Sequence, residues 1–272
     1  MNDKVAISIA QMNIVAGDPQ ANLAQLAQMT ADAAGRGAQL LVCPELWSTG
    51  YVLERAQELA SVAGEGMFAE VAALARRHRI HILGSLLERD GDSVYNSAAC
   101  FSDEGELSGL YRKIHLFRLF DEDVWLGPGE APLCLELPWG ATGVAICYDL
   151  RFPELFRAYA VEGARLIVLP AEWPMARVGH WRTLLQARAI ENQCVVVACN
   201  AAGTTGDLVV GGHSMIIDAW GSILAEGGAG PQLLGASVDL AQVDEVRQRI
   251  PVFRDRRPEI YERQADATFA GS

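Results

Sequence analysis

The sequence predicts an α/β fold in which helices cover largely buried strands. Half of the 272 residues are hydrophobic and 21% are charged, a composition that supports a sizeable core. In the first third of the chain, short apolar runs alternate with segments that have helical spacing. The strand-like runs are apolar almost throughout, as expected where both faces of a sheet are covered.

The first third predicts two strand–helix units and a further strand. Residues 5–10 form an apolar strand, and the helix that follows could be capped by Asp18 or Asn22. Residues 39–43 (QLLVC) predict a buried strand that stops at Pro44. A second helix is indicated by apolar residues at positions 68, 71, 72 and 75, and a short strand follows over residues 80–84.

The middle of the chain predicts two antiparallel hairpins and then more α/β structure. Residues 94–101 and 107–111 flank the turn-like SDEGE, and residues 133–137 and 142–147 flank PWGA. A helix with Pro153 near its first turn follows. Next come a strand over residues 166–169, a helix over 181–193 and a strand over 194–199.

The last part of the chain predicts short strands, a helix and a tail. Strands are expected over residues 213–218 and near Ile223 and Leu234, with an amphipathic stretch over 243–249 and a charged tail after it. No repeat and no linker rich in Pro, Ser or charge interrupts the sequence. We therefore expect residues 1–272 to form a single domain.

Charge and cysteine content exclude several classes of function. The formal charge of -12 argues against nucleic acid and gives anionic membranes no attraction. No uncharged apolar stretch approaches the ~18 residues of a membrane span, and the N-terminus MNDKVAISIAQMN lacks the pattern of a signal peptide. Several of the six cysteines lie in apolar runs, which favours reduced thiols in a cytoplasmic protein. A small-molecule partner is the expectation.

The common cofactor and metal motifs are missing from the sequence. The five histidines are scattered, with no HExxH and no paired CxxC spacing. Neither GxxxxGK[ST] nor GxGxxG follows a predicted strand, and no GxSxG element is present. We therefore expect no metal and no cofactor.

Cys147 is the strongest candidate nucleophile. It ends the run TGVAIC, and a helix begins near Pro153. A cysteine between a strand end and a helix lies near the positive end of the helix dipole, which lowers the thiol pKa. On position alone, a small buried hydrophobic residue is the commoner explanation, so Cys147 needs partners.

Glu45 and Lys113 are candidates for those partners. Glu45 follows the strand LLVC and Pro44, so a shared rim with Cys147 is expected if the two strands are neighbours in parallel sheets. A partly desolvated carboxylate there could accept the thiol proton, and Lys113 in YRKIHLF could stabilise an oxyanion. A capping glutamate and a solvated lysine are the alternatives, and His115 or His180 remain alternative bases.

Taken together, these segments resemble the three catalytic motifs of the nitrilase superfamily. The strings are PELWSTGY (44–51), YRKIHLF (111–117) and AICYDLRFPE (145–154), in the family's order and at similar separations. Further matches are HWRTLLQARAIENQ (180–193), GGHSMIIDAWGSILAE (211–226) and RQRIPVFRDRRPEIY (247–261). The resemblance spans essentially the whole chain.

The resemblance implies a four-layer α-β-β-α sandwich, commonly a homodimer or higher oligomer, with the C-terminal tail (about 250–272) in dimer contacts. It implies that Glu45 is the general base and acid, and that Cys147 forms a thioester. Lys113 and the backbone N–H of Tyr148 would form the oxyanion site. Glu122 matches the family's second glutamate, with an orienting role near Lys113.

Within the superfamily, HLFRLFDE (115–122) and PAEWPMARVGHW (170–181) look most like bacterial omega-amidases. These enzymes hydrolyse the terminal amide of 2-oxoglutaramate or 2-oxosuccinamate. A cation should meet the substrate carboxylate, so Arg118 and Arg177 are candidates, and Trp173 could form a wall of the pocket. A surface arginine and a core tryptophan are the alternatives.

Four other functions stay open at this point. Three are enzymatic: a short-chain aliphatic amidase, an N-carbamoyl amine hydrolase and a nitrilase. The fourth is a catalytically silent member of the superfamily that serves in binding or assembly. An intact set of Glu45, Lys113 and Cys147 speaks against the silent member.

Overall fold

A computed structural model describes residues 3–205 and 208–261. The strands are β1 (Lys4–Gln11), β2 (Leu40–Val42), β3 (His81–Asp90), β4 (Ser93–Phe101), β5 (Leu107–Arg112), β6 (Leu133–Leu137), β7 (Gly140–Val144), β8 (Leu166–Ala171), β9 (Val195–Asn200), β10 (Ala202–Thr205), β11 (Leu208–Gly211), β12 (Met215–Ile217), β13 (Ile223–Glu226) and β14 (Gln232–Asp239). The helices are α1 (Pro19–Gly35), α2 (Ala56–Leu59), α3 (Gly66–His78), α4 (Glu122–Trp125), α5 (Pro153–Val161), α6 (Val178–Asn192), α7 (Ala241–Arg249) and α8 (Pro258–Tyr261). Short 3-10 turns occupy Leu53–Arg55, Arg118–Phe120, Cys147–Arg151 and Met175–Arg177.

Two six-stranded sheets organise the chain. The first has the strand order β14-β1-β2-β3-β4-β5 and the second the order β13-β12-β9-β8-β7-β6. In each sheet the three central strands run parallel, β1, β2 and β3 in the first and β7, β8 and β9 in the second. The outer strands pair antiparallel, and β10 and β11 form a separate hairpin.

The sheets and helices form four layers. One core contains Phe68 and Val71 of α3 and Leu26 of α1 with outer-face residues of the first sheet. The largest core joins residues of both sheets with Leu155 of α5 and Leu185 of α6. Because each sheet carries apolar side chains on both faces, the strands are apolar throughout. The predicted α/β class and the α-β-β-α sandwich are confirmed.

Most element predictions agree with the structure, with differences at their ends. Asp18 caps α1, since its carboxylate accepts a hydrogen bond from the N–H of Ala21 at 3.0 Å. Asn22, the other proposed cap, lies inside α1, where it bonds Val15 and Ser48. The strand predicted over 142–147 ends at Val144, because the chain turns to place Cys147 in a 3-10 turn.

The structure describes only part of the C-terminal tail that is predicted to take part in dimer contacts. Of the tail predicted to take part in dimer contacts (about 250–272), residues 262–272 lie outside the described residues. Within the described ranges, no helix combines the length and the apolar character needed to cross a bilayer.

Candidate active site

The ends of three strands bring Glu45, Lys113 and Cys147 together. Glu45 follows β2 and Lys113 follows β5, both in the first sheet, whereas Cys147 follows β7 in the second. The strands before Glu45 and Cys147 are therefore not paired in one sheet, although each runs parallel to its neighbour in its own sheet. The two sheets face each other, and the backbone N–H of Glu45 donates to the carbonyl of Ala171 in the second sheet at 3.3 Å.

Lys113 lies between two carboxylates. Its ammonium nitrogen is 2.7 Å from Glu45 Oε1 and 2.6 Å from Glu122 Oε1, and all three side chains are fully buried. Burial opposes the charge on Lys113, but Glu122 and Glu45 outweigh it and raise the pKa of the ammonium above its ordinary value. The lysine is therefore a fixed cation inside the protein.

Glu122 occupies the first position of α4 and is held from several directions. Its carboxylate accepts hydrogen bonds from the Tyr51 hydroxyl at 2.7 Å and from the backbone N–H of Phe117 at 2.6 Å, besides that of Lys113. Burial raises the pKa of Glu122, and the Lys113 ammonium opposes this shift. Glu122 thereby fixes the position of the lysine.

Hydrogen bonds to both carboxylate oxygens hold the Glu45 side chain in one orientation. Oε1 accepts from Lys113 and from the side-chain amide of Asn96 at 2.8 Å, and Oε2 accepts from the backbone N–H of Glu172 at 3.0 Å. The sequence predicted a partly desolvated carboxylate, and the structure buries it fully. The next residue, Leu46, has φ +42° and donates its N–H to the Ser85 hydroxyl at 2.7 Å.

Cys147 opens a tight turn at the floor of a cavity. Its φ is +43°, a left-handed conformation that is uncommon for a residue other than glycine. Asp149 holds the turn, because its buried carboxylate accepts the N–H of Ile146 at 2.8 Å and the hydroxyl of Tyr111 at 2.8 Å. The same carboxylate lies 2.7 Å from His115 Nδ1, so His115 serves this turn and not the thiol.

The expected lowering of the thiol pKa at Cys147 is wrong. Burial, reinforced by the Glu45 carboxylate, raises the pKa of Cys147 well above its usual range, while Lys113 and the N–H of Glu172 oppose the shift. The helix α5 begins only at Pro153, so its dipole is a turn away from the sulfur. Burial therefore favours the neutral thiol, and the Glu45 carboxylate lies within hydrogen-bond reach of it.

A narrow cavity of about 20 Å³ opens onto Cys147. Tyr148, Trp173 and Arg177 line it, as does Arg151, whose guanidinium lies 4.8 Å from the Trp173 ring centroid. Trp173 is 2% exposed, and its indole N–H donates to the carbonyl of Arg177 at 2.8 Å. The cavity is therefore narrow at the thiol, and two guanidinium groups, those of Arg151 and Arg177, line it.

Arg118 is not among the residues that line this cavity. Its side chain is 86% exposed and lies 3.7 Å from Asp123, on the outer side of the turn before α4. The structure therefore contradicts its placement in the pocket, because the turn over residues 118–120 directs it to solvent.

Several site residues were not found from the sequence. Arg151 stood within the cysteine motif, and its position four residues after Cys147 was the signal that could have identified it. Asn96 lies in β4, and nothing in its local sequence distinguishes it from other strand residues. Glu172 follows β8 as Glu45 follows β2, a parallel that the strand pattern contains.

The arrangement can perform nucleophilic acyl chemistry. It holds a thiol, a carboxylate base and a fixed cation around one cavity, the parts that covalent catalysis requires. Across residues 3–205 and 208–261, no cluster of three or more His, Cys, Asp or Glu side chains is suited to hold a metal ion.

Comparisons with known proteins cover nearly the whole chain. The family described as carbon-nitrogen hydrolase matches residues 6–248. A 2-oxoglutaramate amidase of Bacillus subtilis is 42% identical over 259 residues, which is 95% of this chain and 100% of that protein. Omega-amidase NIT2 of Danio rerio is 34% identical over 254 residues, 88% of this chain and 90% of that protein. A solved CN-hydrolase superfamily protein of Xanthomonas campestris, with an arsenic adduct in its active site, has a TM-score of 0.88 and 31% identity, covering 93% of this chain and 97% of that one.

Proposed function

Because this chain belongs to the carbon-nitrogen hydrolase family, we propose that it hydrolyses the terminal carboxamide of a small carboxylate-bearing substrate, of which 2-oxoglutaramate is the leading candidate. The resemblance to the nitrilase superfamily is thereby confirmed, and the chain is a hydrolase of carbon–nitrogen bonds. Relatives named 2-oxoglutaramate amidase and omega-amidase support this substrate.

One observation carries the proposal. Lys113 joins Glu45 and Glu122 in a fully buried cluster, and this cluster faces the Cys147 thiol at the floor of a narrow cavity. Burying two carboxylates and an ammonium is expensive for a fold, so such a cluster at a cavity favours a catalytic role.

The first half of the reaction forms a thioester. Glu45 takes the thiol proton as the Cys147 sulfur bonds to the carboxamide carbon, and the oxygen becomes an oxyanion. The Lys113 ammonium and the backbone N–H of Tyr148 stabilise that oxyanion. Glu45 then gives its proton to the nitrogen, the C–N bond breaks, and ammonia leaves.

The second half returns the enzyme to its resting state. Water attacks the thioester carbon while Glu45 takes one of its protons, and collapse of the oxyanion expels the Cys147 sulfur. That sulfur recovers the proton from Glu45, and the carboxylic acid product leaves. Glu122 acts as a positioning residue throughout, because it fixes Lys113 while Glu45 changes its protonation state.

The substrate carboxylate needs a cation at the cavity, and Arg177 is the proposed partner among the predicted residues. It lines the cavity with Trp173, and a guanidinium can pair with a carboxylate through two hydrogen bonds. Arg151 lines the same cavity and is the second candidate. Trp173 forms a wall beside both.

Ammonia release tests the proposal directly. The purified protein is given 2-oxoglutaramate, propionamide, an N-carbamoyl amine and a nitrile, which separates omega-amidase activity from the three alternative activities. Cys147→Ala should abolish turnover with the fold intact, and mass spectrometry should find the acyl group of the substrate on Cys147 in wild-type protein. Release from none of the four compounds would favour the silent binding or assembly member.

We also propose a cytoplasmic location, a homodimer and a single domain over residues 1–272. The six cysteines are free thiols, which suits a reducing compartment. Exposed apolar side chains on α5 and α6, Val161 at 51% and Ile190 at 55%, offer a surface for a second copy. Sedimentation velocity tests the dimer, and a single calorimetric transition would support one domain.

A further inference from the structure

Glu172 carries a carboxyl group that the proposed mechanism does not use. It comes directly after β8, its side chain is fully buried, and neither carboxyl oxygen has a partner at hydrogen-bond distance within the described ranges. The Thr205 hydroxyl lies near enough to lower the pKa of the carboxyl without forming such a bond. Burial of a polar group without a partner is costly, and native structures contain few such groups. A group of this kind beside a cavity is a candidate for contact with a ligand.

The position of Glu172 puts this carboxyl beside the reaction. Its backbone N–H donates to Glu45 Oε2 at 3.0 Å and also lies next to the Cys147 sulfur. Its side chain lines the cavity that contains Cys147 and Arg177. Any amide bound over Cys147 therefore lies within the surroundings of Glu172.

The carboxyl is an uncharged acid at neutral pH. Burial raises the pKa of Glu172 to about 8; the Thr205 hydroxyl and Lys113 oppose the shift, and Glu45 adds to it. At pH 7 the neutral acid is therefore the favoured form. The other titratable or charged groups that line the two cavities bordering Glu172 are Tyr51, Asp121, Cys147, Tyr148, Arg151 and Arg177.

We propose that Glu172 is a specificity-determining residue, whose side chain donates a hydrogen bond to the 2-oxo oxygen of the bound amide and so selects 2-oxo over 2-amino compounds. This inference rests on the proposed function. A protonated carboxyl has one O–H donor, which an oxo oxygen can accept. An ammonium group at the same place would meet an uncharged acid and two repelling guanidinium groups, those of Arg151 and Arg177.

Three substrates isolate this contact. They are 2-oxoglutaramate, the monoamide of glutaric acid, which lacks only the oxo group, and L-glutamine, which has an ammonium in its place. The ratio of kcat/KM for the first two removes every effect that both share, including titration of the catalytic groups. Wild-type protein should prefer 2-oxoglutaramate to the monoamide and use L-glutamine least.

Two variants and a control test whether Glu172 sets this ratio of kcat/KM values. Glu172→Leu should lower it about tenfold, the size of one lost hydrogen bond, with the monoamide changed less than about twofold. Glu172→Gln keeps an N–H donor, so it should hold the ratio at pH 7. In wild type the ratio should fall as pH rises through about 8, and in Glu172→Gln it should stay level. Asp121→Asn alters a carboxyl that lines only the neighbouring cavity and should change nothing.

Each contrary result has its own meaning. An unchanged ratio in Glu172→Leu, or the same pH dependence in Glu172→Gln as in wild type, would overturn this inference while the amidase function stands. L-Glutamine used as well as 2-oxoglutaramate would also overturn it, since Glu172 would then act as an anion. If wild-type protein released ammonia from none of the three, the proposed function would fail first, and the inference with it.

Discussion

Replacing Lys113 with Met tests whether the buried cation holds the site together. Methionine has a similar length but no charge, so Lys113→Met leaves Glu45 and Glu122 buried without the ammonium that lies 2.7 Å and 2.6 Å from them. Removing one partner of a buried ion pair costs about 3–5 kcal/mol. Because all three side chains are fully buried, water does not screen this loss, and we expect the full range at pH 8.

The loss should depend on pH in a defined direction. Lys113 lowers the pKa of Glu122 in wild type, so its removal leaves burial to raise that pKa further. A carboxyl whose folded pKa lies above its unfolded value of about 4.3 binds more protons when folded. The folded variant then loses stability as pH rises from the unfolded pKa of Glu122 to its folded pKa, by up to about 1.4 kcal/mol per pH unit. The variant should therefore be closer to wild type at pH 5 than at pH 8.

Urea unfolding at the two pH values measures this difference. Lys113→Met/Glu122→Gln should recover part of the lost stability, because it also removes one stranded carboxyl. Arg118→Met is the matched control: its cation is 86% exposed, so the change should stay within about 0.5 kcal/mol. A loss below about 1 kcal/mol for Lys113→Met at both pH values would refute this account of the cluster.

Three further predictions concern single groups of the site. The Cys147 thiol, whose pKa burial and Glu45 raise, should react with methyl methanethiosulfonate at a rate that still climbs beyond pH 9; a plateau near pH 7 in peptide mass spectrometry would contradict this. Asp149→Asn keeps the shape but loses acceptors for His115, so it should lower stability by about 1–3 kcal/mol and kcat with it, measured by urea unfolding and ammonia release. Arg177→Met should raise KM for 2-oxoglutaramate about tenfold or more and leave butyramide within twofold; equal losses in steady-state kinetics would remove Arg177 from carboxylate binding.

The layered fold could be predicted because strands that are covered on both faces need apolar residues along their whole length. The runs at β2, β8 and β9 are apolar at nearly every position, which is what coverage of both sheet faces requires. The ends of the strands were harder to predict from the sequence. The end of β7 at Val144 depends on the turn that Asp149 stabilises from beyond the strand, and no local pattern reports that bond.

In the candidate site, too, some residues could be predicted from the sequence and others could not. Glu45, Lys113 and Cys147 follow predicted strands, so their proximity was a reasonable hypothesis, although they come from two sheets. Arg118 and Arg177 have similar local sequences of polar and apolar neighbours, yet one points to solvent and the other lines the cavity. Arg177 is held there by a contact distant in sequence, since its guanidinium lies 5.7 Å from the Phe117 ring centroid, and its carbonyl accepts a hydrogen bond from the Trp173 indole.

The pKa of the Cys147 thiol shows why the charge state of a buried group was the hardest property to predict from the sequence. A helix dipole is a feature of the chain next to Cys147, whereas burial and the carboxylate of Glu45, about a hundred positions away in sequence, dominate the shift of the thiol pKa. Long-range partners decide the charge state of a buried group, because few water molecules remain to screen them. A base is therefore needed here, where a preformed thiolate would not need one.

Backbone strain lies next to the base and at the nucleophile of the proposed mechanism. Leu46 and Cys147 have φ +42° and +43°, and a residue other than glycine in this region costs about 1–3 kcal/mol. Each is held through a buried hydrogen bond, from Leu46 N–H to the Ser85 hydroxyl and from Ile146 N–H to the Asp149 carboxylate. Because the strain opposes these bonds, loss of either bond lets the local backbone relax while the two sheets stay packed. Ser85→Ala and Asp149→Ala, which remove these acceptors altogether, should therefore displace Glu45 and Cys147 and reduce turnover more than the accompanying loss of stability would suggest.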